Sequence, residues 1–296
     1  MRDAARQGLA VGFFDGVHLG HQAILKGADA ALTFRNHPLT VLVPEKAPRL
    51  IMSVEERVAA IKACGVGDVT VLDFTPELAE MSAEEFVREH LLAAKGRKGA
   101  QRIRCGENWR FGKGGAGDAE FLRRMGFVVD VVPYAEFKGE LISSSRIRGC
   151  LERGEIEDAN AMLGRRFQVS GFRFQGKGLG GKIGYPTVNL RILERESCEC
   201  GESSRIALRR GVYEVELGGA KAIANYGTAP TMGDKAWGKN VLEVHLLEDS
   251  PDSFDSRDSR SEFCVSFLRF IRPEKKFDSI DDLQRQIAAD CATITT

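Results

Sequence analysis

The sequence predicts an α/β protein of two domains: a parallel sheet with flanking helices, then a small antiparallel β-barrel with a C-terminal helix. Its 296 residues exceed one average domain and suit about two. Before residue 163, short apolar runs alternate with helical segments, which is typical of a parallel sheet. Beyond that point, strand-like segments follow one another without helices between them, as in a barrel. The predicted domains are therefore residues 1–162 and 163–296.

The elements of the first domain are predicted from apolar runs and helix start signals. Strands are expected at residues 9–14 and 31–34, with a helical segment between them. Ser53 followed by Glu56 is a capping box that starts a helix, and Ser82 opens a second helix in the same way. The remaining predicted elements are strands at 69–74, 103–105 and 127–132 and a short helix at 120–125.

The second half of the chain has a different pattern. A helical stretch at residues 147–163 ends at Gly164, and the sequence beyond it is all-β up to a closing helix at residues 280–289. Two polar segments, 194–210 and 250–262, are expected to be loops. The predicted strands are residues 167–174, 211–217, 220–225, 241–247 and 263–270.

The charge balance and the cysteine pattern narrow the class of protein. Lys and Arg together number 42, as do Asp and Glu, so the formal net charge is zero. A nucleic-acid or membrane-surface partner would favour a basic excess, and we expect neither. The seven cysteines are scattered, which indicates thiols in a reducing cytosol. No apolar run approaches the roughly 20 residues of a membrane span, so the predicted location is the cytoplasm.

The most informative pattern of the first domain is VGFFDGVHLGH, which begins at Val11. A strand runs into a glycine-bearing turn, and a helix begins directly after it. Backbone N–H groups at such a helix start are placed to bind phosphate. His18 and His21 are three residues apart and face the same way, so both rings can stabilise charge on a leaving pyrophosphate. The alternative is that they cap the helix or form part of a metal site.

This segment resembles the signature of the nucleotidyltransferase superfamily, and FDGVHLGH is similar to the bacterial bifunctional riboflavin kinase/FMN adenylyltransferase family. The likeness continues in the same order at TFRNHP (33–38), GENWRFG (106–112) and ISSSRIR (142–148). It implies a Rossmann-like nucleotidyltransferase domain. A serine run at a helix start and the donor fork of Arg148 also suit ATP phosphates on physical grounds. A plain helix cap is the alternative for the serines.

The resemblance assigns roles to residues of the first domain. The sequence departs from the family pattern at the first crossover. Only residues 22–32 separate His21 from Thr33, whereas a parallel crossover usually needs a dozen or more residues. Either the first helix is cut to two turns or the strand is short. The implied roles are catalysis by His18, His21 and Arg148, ATP binding by Gly12, Phe13, Asp15, Ser143, Ser144 and Ser145, and flavin binding by Asn108, Arg110 and Phe111.

A glycine-rich segment, GKGLGGKIG at residues 176–184, opens the candidate site of the second domain. It contains G-x-G-x-x-G, but no helix can open at the following Tyr185 and Pro186, which argues against a dinucleotide fingerprint. It also fits the start of a P-loop, yet Ile183 stands where a magnesium-binding Ser or Thr is required. The segment therefore matches neither of these phosphate-binding motifs in full.

The next residues, GYPTVNL at 184–190, resemble the G-[FY]-P-T-x-N motif of riboflavin kinases. In that family a glycine-rich strand covers the ATP phosphates, the threonine helps to hold Mg²⁺ and the asparagine orients the reacting groups. The likeness therefore implies that Thr187 is a metal ligand. The nucleotide-binding residues that it implies are Gly176, Gly178, Lys182, Gly184, Pro186 and Asn189.

Glu243 is the predicted general base of the second domain. Strand alternation places it on one face of the barrel with Val241, His245 and Leu247. A carboxylate near the cleft can accept the hydroxyl proton in a phosphoryl transfer, and the family's catalytic glutamate matches this position. The alternative is a solvent-facing strand glutamate. The family's acidic-x-Tyr-Gly turn has no counterpart at residues 250–257.

The resemblance implies two sequential reactions that use ATP and Mg²⁺. The barrel would phosphorylate riboflavin to FMN, and the first domain would transfer the adenylyl group of ATP to FMN, which gives FAD and pyrophosphate. Two alternatives stay open. One is an FMN adenylyltransferase with an inactive flavin-binding barrel, which the missing Tyr-Gly turn favours. The other is a non-catalytic flavin-binding regulatory protein.

Overall fold

The computed structural model of the chain describes residues 8–92, 102–174, 184–192, 208–227, 241–247 and 262–295. The chain divides between Arg146 and Ile147 into two units, each with its own core. Residues 147–162 group with the second unit in this division. The domain boundary expected between residues 162 and 163 stays a prediction. The two expected loops lie largely outside the described residues.

A five-stranded parallel sheet forms the centre of the first unit, as the sequence predicts. The strand order is β3-β2-β1-β4-β5, which puts the first strand in the middle. That strand is buried along its whole length, because helices cover both faces of a parallel sheet. The strands are β1 (Leu9–Val11), β2 (Ala30–Phe34), β3 (Asp68–Leu72), β4 (Arg102–Gly106) and β5 (Val128–Val132).

The helices of the first unit begin where the sequence signals place them. The capping boxes are both formed: the Ser53 and Ser82 hydroxyls accept the N–H of Glu56 and Glu85, whose carboxylates accept in return. The elements that were not predicted are the helices at Leu39–Leu42 and Pro76–Glu80 and a small hairpin. The elements are α1 (Leu19–Leu25), α2 (Leu39–Leu42), α3 (Val54–Ala63), α4 (Pro76–Glu80), α5 (Ala83–Phe86), a π turn (Val87–Leu91), α6 (Ala119–Arg124), and β6 and β7 (Glu136–Phe137, Glu140–Leu141).

The first crossover is short because its helix is short. Helix α1 has 7 residues, about two turns, so the first of the two expected alternatives holds. Strands β1 and β2 are nevertheless paired in parallel. Arg104 of β4 supports the truncated helix, since its guanidinium donates to the carbonyls of Ile24 (2.9 Å) and Ala23 (3.2 Å). A cation at a helix C-terminus satisfies the last carbonyls and opposes the negative end of the dipole.

The helical stretch expected at residues 147–163 is two helices, α7 (Ser144–Arg153) and α8 (Ile156–Leu163). Gly154 separates them with a φ of 81°, a conformation that favours glycine. A Cβ at this position would also lie only 3.1 to 3.2 Å from the side chains of Arg209 and Phe270. Leu151 and Ile156, the buried residues on either side, are five residues apart, so the helical spacing is interrupted here, a signal that the sequence analysis did not use.

A closed antiparallel barrel of six strands forms the second unit, which confirms the predicted architecture. Helix α9 (Ile280–Thr295) follows it and is longer than the predicted residues 280–289. One strand, at Val188–Ile192, was not predicted as such. Around the barrel the order is β10-β11-β12-β9-β8-β13. The strands are β8 (Phe167–Phe174), β9 (Val188–Ile192), β10 (Gly211–Leu217), β11 (Ala220–Gly227), β12 (Val241–Leu246) and β13 (Glu262–Arg272).

The C-terminal helix is fixed to the outside of the barrel by charge and by apolar packing. Arg272 at the end of β13 makes a bidentate contact with Asp290 of α9, with distances of 2.6 to 3.0 Å. Ile294 of α9 packs against Val212 and Ile223 of the barrel. Within the described ranges, every helix is too short or too polar to cross a membrane.

Two candidate active sites

The turn between β1 and α1 has an unusual backbone. Phe14, Gly16 and Val17 have φ values of 58°, 81° and 40°, and two of these are not glycines. A β-branched residue with positive φ is strained, and such strain persists only where the surrounding structure over-determines it, often at functional sites. The turn lies at the carboxyl end of the central strand. This is the position at which an open parallel sheet binds phosphates.

The two histidines lie together at the start of α1. His18 is the N-cap, and its Nδ1 accepts the N–H of His21 at 3.3 Å. The two rings stack with centroids 3.6 Å apart and an interplanar angle of 20°. Burial lowers the pKa of His21 well below its usual range, and the positive charges of His18 and Arg57 add to the effect. His18 thus caps the helix, and the lowered pKa of His21 favours the neutral form of its ring.

Arg57 lies under the turn and was missed by the sequence analysis. Its side chain is fully buried, and its guanidinium carbon lies 4.3 Å from the centroid of the Phe13 ring. Nη2 donates to the carbonyls of Phe34 (2.6 Å) and Arg35 (3.0 Å) at the end of β2. A signal was available: position 57 falls on the buried stripe of α3, where an apolar residue is expected.

Asp15 connects the turn to two helix starts. Its carboxylate is 2% exposed and accepts the backbone N–H of Ile51 (3.0 and 3.2 Å) and Met52 (3.3 Å), just before α3. Its backbone carbonyl accepts a hydrogen bond from the Ser144 hydroxyl at 2.8 Å. The structure thus brings Asp15 and Ser144 together, as the predicted site requires. The carboxylate itself points into the protein, and its predicted contact with ATP remains untested.

The serine run divides into different contacts. The Ser143 hydroxyl accepts the N–H of Arg146 at 3.2 Å, so this serine caps α7 as the simpler alternative expects. Ser144 contacts the turn, and Ser145 is exposed. Arg148 is half-buried on the same helix, one turn beyond Ser144, in the part of α7 that belongs to the second unit. Its predicted role at the ATP phosphates stays a prediction.

The predicted flavin-binding residues occupy different environments. Asn108 and Arg110 are exposed, and Arg110 donates to the carbonyl of Trp109 at 2.9 Å. Phe111 is 7% exposed and belongs to the core below the sheet, where it contacts Phe86. Trp109 stacks on Phe111 with centroids 4.6 Å apart and remains half-buried. Trp109 is therefore the aromatic ring of this segment that still reaches the surface, and the sequence analysis did not select it.

In the barrel, Glu243 stands between two amide side chains. It lies directly opposite Asn189 of β9 and Asn225 of β11, so the three side chains form a row on one face of adjacent strands. Glu243 reaches the surface, yet partial burial raises its pKa, and the negative charge of Glu274 adds to this. A carboxylate with raised proton affinity and flanking amides suits a general base. The register of the strands, unknown from the sequence, brings Asn225 into the row.

The segment before β9 reaches the same face. The carbonyl of Pro186 lies 2.9 Å from His245 Nδ1, and the Tyr185 ring meets the His245 ring edge-on. Gly184 has a φ of 81° and Thr187 is half-buried. Gly176, Gly178 and Lys182, which were predicted to bind the nucleotide, lie outside the described residues.

The oxygen donors near β9 suit a hard cation. Among the described residues, no three His, Cys, Asp or Glu side chains form a metal cluster. Mg²⁺ rarely uses such a cluster, because it takes one or two protein oxygens and completes its shell with water and substrate phosphates. The Thr187 hydroxyl, directly before β9, fits that requirement as a protein oxygen. The residues present are thus compatible with a magnesium ion held mainly by a nucleotide.

Comparisons with known proteins agree with this arrangement in both halves. A family model described as FAD synthetase matches residues 1–146, and one described as riboflavin kinase matches residues 163–296. A crystal structure described as a macrolide-efflux protein from Streptococcus pneumoniae is 28% identical, with a TM-score of 0.79 over 97% of this chain and 93% of that one. The likeness shows a shared fold along nearly the whole length.

Curated relatives carry both activities in one name. Bifunctional riboflavin kinase/FMN adenylyltransferases from Pseudomonas fluorescens and Escherichia coli K12 are 33% and 30% identical, each over 95% of this chain and 90% of the relative. The Bacillus subtilis protein of the same name is 29% identical over 97% of this chain and 91% of its own length. The chain belongs to the bifunctional riboflavin kinase/FMN adenylyltransferase family.

Proposed function

We propose which residues of this chain carry the two reactions of the family. The chain phosphorylates riboflavin to FMN with ATP and then joins FMN to the adenylyl group of a second ATP, which gives FAD. We assign the second reaction to residues 1–162 and the first to residues 163–296. Enzymes of this kind use a divalent cation with ATP, and the proposed ion is Mg²⁺. The proposed location is the cytoplasm, where ATP is available.

In the adenylyl transfer, a phosphate oxygen of FMN attacks the α-phosphorus of ATP and pyrophosphate leaves. The proposed phosphate site is the strained turn with Gly12 and Phe13, the adjoining helix start and the hydroxyls of residues 143–145. His21 is neutral there, so it can donate a hydrogen bond to a phosphate oxygen without repelling His18. No covalent intermediate is required, because positioning and charge stabilisation carry most of this class of transfer.

The remaining assignments in the first domain are contacts with substrates. Arg148 supplies a cationic donor fork for the phosphates. Asp15 holds the turn in place through the N–H groups before α3, which supports a positioning contribution to ATP binding. The flavin ring is assigned to the segment with Asn108 and Arg110, where Phe111 supports the surface from below.

In the kinase reaction, Glu243 accepts the proton of the ribityl 5′-hydroxyl as its oxygen bonds to the γ-phosphorus of ATP, and ADP leaves. Asn189 lies directly opposite and orients the hydroxyl. Thr187 would hold Mg²⁺ together with the ATP phosphates, and the bound ion would supply charge neutralisation for the transferring group. The proposed nucleotide-binding residues are Gly176, Gly178, Lys182, Gly184 and Pro186, as the family motif implies. The observation that carries the assignment is the row Asn189–Glu243–Asn225.

A time course of flavins tests the proposal. Purified protein is incubated with riboflavin, ATP and Mg²⁺, and the flavins are separated by chromatography. FMN should appear first and then give way to FAD.

A second candidate, an adenylyltransferase with an inactive barrel, is favoured by the absence of a Tyr-Gly turn at residues 250–257. It predicts unchanged riboflavin while added FMN still becomes FAD. Tight flavin binding with no conversion of either flavin would instead indicate a binding protein.

A further inference from the structure

We propose that Glu274 is a positioning residue of the kinase site, whose carboxylate lies over Gly227 and strengthens Glu243 as a general base. The proposal rests on the function assigned to Glu243 above. It adds a carboxylate that the row of strand residues does not include. Glu274 is not itself assigned a contact with the substrate.

The position of Glu274 is defined by a missing side chain on β11. Glu274 follows β13 by two residues, and its carboxylate occupies the space that a Cβ on Gly227 would need. That Cβ would overlap Oε1 and would lie 2.8 Å from Cδ and 3.3 Å from Oε2 of Glu274. Gly227 does not have a positive φ, so its lack of a side chain is used for space rather than for backbone freedom.

The strand register places this carboxylate on the side of the barrel that carries Glu243. Gly227 pairs with Val241 of β12, and Glu243 is two residues further along the same strand. Residues two apart in a strand point to the same face. A carboxylate lying over Gly227 therefore shares that face with Glu243. Its approach depends on the glycine, because any larger residue at position 227 would displace it.

Several charged groups lie around Glu243, and among the residues that the structure describes Glu274 is the one whose charge opposes its ionisation. Arg191 lies opposite Val241 on β9, and His245 follows Glu243 on the same face of β12. Arg272 is paired with Asp290. Burial raises the pKa of Glu243, and the negative charge of Glu274 raises it further. A base of higher proton affinity accepts the hydroxyl proton more readily, as long as it is ionised at the working pH.

Replacing Glu274 with Gln tests the proposal in the full-length enzyme. FMN formation should slow by about 3- to 10-fold at the plateau of its pH profile, because a weaker base transfers the proton less well. The acid limb of kcat/KM for FMN formation should move to lower pH, because Glu243 then stays ionised further down. Glu274→Asp, which keeps the charge, should return part of both effects. Conversion of added FMN to FAD should be unchanged in every variant.

Gly227→Ala gives a second, independent test, because it keeps the charge of residue 274 but displaces it. The same shift of the acid limb is expected. In the double variant with Glu274→Gln, the alanine should add little, since both changes remove one interaction. Glu262→Gln, an exposed carboxylate at the other end of β13, is the matched control and should leave the profile unchanged.

The outcomes separate this inference from the function beneath it. Glu243→Gln should abolish FMN formation at every pH, and if it does not, the assignment of the base is wrong. If Glu243→Gln is inactive but Glu274→Gln and Gly227→Ala leave the acid limb in place, the role of Glu274 is overturned alone. Circular dichroism measures whether Glu274→Gln is folded. If this variant loses activity only because it unfolds, and Gly227→Ala does not shift the acid limb, the role of Glu274 is overturned as well.

Discussion

At the scale of single residues, the first site depends on groups held in costly arrangements. Phe14 and Val17 have positive φ, His21 is largely buried, and Arg57 is a fully buried cation. Each of these costs free energy unless it serves a purpose or is offset by neighbours. They converge on one turn, which carries the N–H groups of a helix start and the buried imidazole of His21. Preorganisation of this kind favours charge that develops during a reaction.

His21→Ala should lower FAD formation from FMN by about 100- to 1000-fold, because one preorganised donor is lost at the leaving pyrophosphate. FMN formation from riboflavin should stay intact, since the kinase residues are in the barrel. Both rates are measured on the same preparation by flavin chromatography. An equal loss of the two activities would contradict the assignment of separate sites.

His21 should also make the stability of the protein depend on pH. Burial lowers its pKa in the folded state, so the neutral ring stabilises the fold fully above the unfolded value of about 6.5. As the pH falls below that value, the unfolded chain binds a proton more readily and the stabilisation is lost. When the pH is lowered from about 7.5 to about 5.5, the free energy of unfolding should therefore fall less in His21→Gln than in the unaltered protein. Urea unfolding at the two pH values measures this difference, and equal losses would contradict it.

At the scale of elements, the sequence predicted more of the fold than of the contacts. Capping boxes, apolar alternation and the two-domain division are local signals, and the structure bears out the sheet, the barrel and most strands. The break at Gly154 was missed although the helical spacing is interrupted between Leu151 and Ile156, and β9 was interpreted as a motif rather than as a strand.

The site residues that were not predicted come together through contacts between segments that are far apart in the sequence. Asn225 joins Glu243 only through the register of β11 with β12, and Glu274 lies over Gly227 only after β13 is in place. Arg57 of α3 lies against Phe13, and three elements, α1, β2 and α2, separate the two residues in the sequence. Local sequence patterns do not predict contacts between residues so far apart in the sequence. The charge of Arg57 at a buried position of α3 was nevertheless a signal, because an apolar residue is expected there.

Helix α9 should depend on the pair formed by Arg272 and Asp290. The Asp290 side chain is 5% exposed, and removing one partner leaves a buried charge without its counter-ion. Asp290→Asn should lower the free energy of unfolding by about 2 to 4 kcal/mol. Arg285→Gln is the control, because it breaks an exposed pair with Asp282 and should cost less than about 0.5 kcal/mol. Denaturant unfolding compares them, and similar losses would show that the pair does not hold the helix.

At the scale of the whole molecule, the match of one enzyme family to each half of the chain makes the two activities separable. The product of the barrel is the substrate of the first unit, and the two units have separate cores. FMN made by one molecule can therefore diffuse to another. Each reaction then depends on its own set of residues, so that inactivating one site leaves the other as an internal control.

Mixing two inactive variants should restore the overall reaction. His21→Ala stops at FMN and Glu243→Gln makes no FMN, so neither alone should convert riboflavin to FAD. Together they should produce FAD, because FMN released by the first is adenylylated by the second. Chromatography of the mixture with riboflavin and ATP measures this. Accumulation of FMN without FAD would mean that the intermediate does not pass between molecules.

The sheet order has one more consequence, for behaviour at high concentration. Strand β5 is the last strand of the described sheet, and its sequence is four valines around Asp130. An apolar edge strand is a template for another chain, and a charge in its middle discourages such pairing. Arg102 and Arg104 contact Asp130 at 2.9 and 3.2 Å and keep that ion cluster at the edge. Asp130→Val would leave five consecutive valines there, and light scattering should then detect aggregates at concentrations where the unaltered protein stays monodisperse.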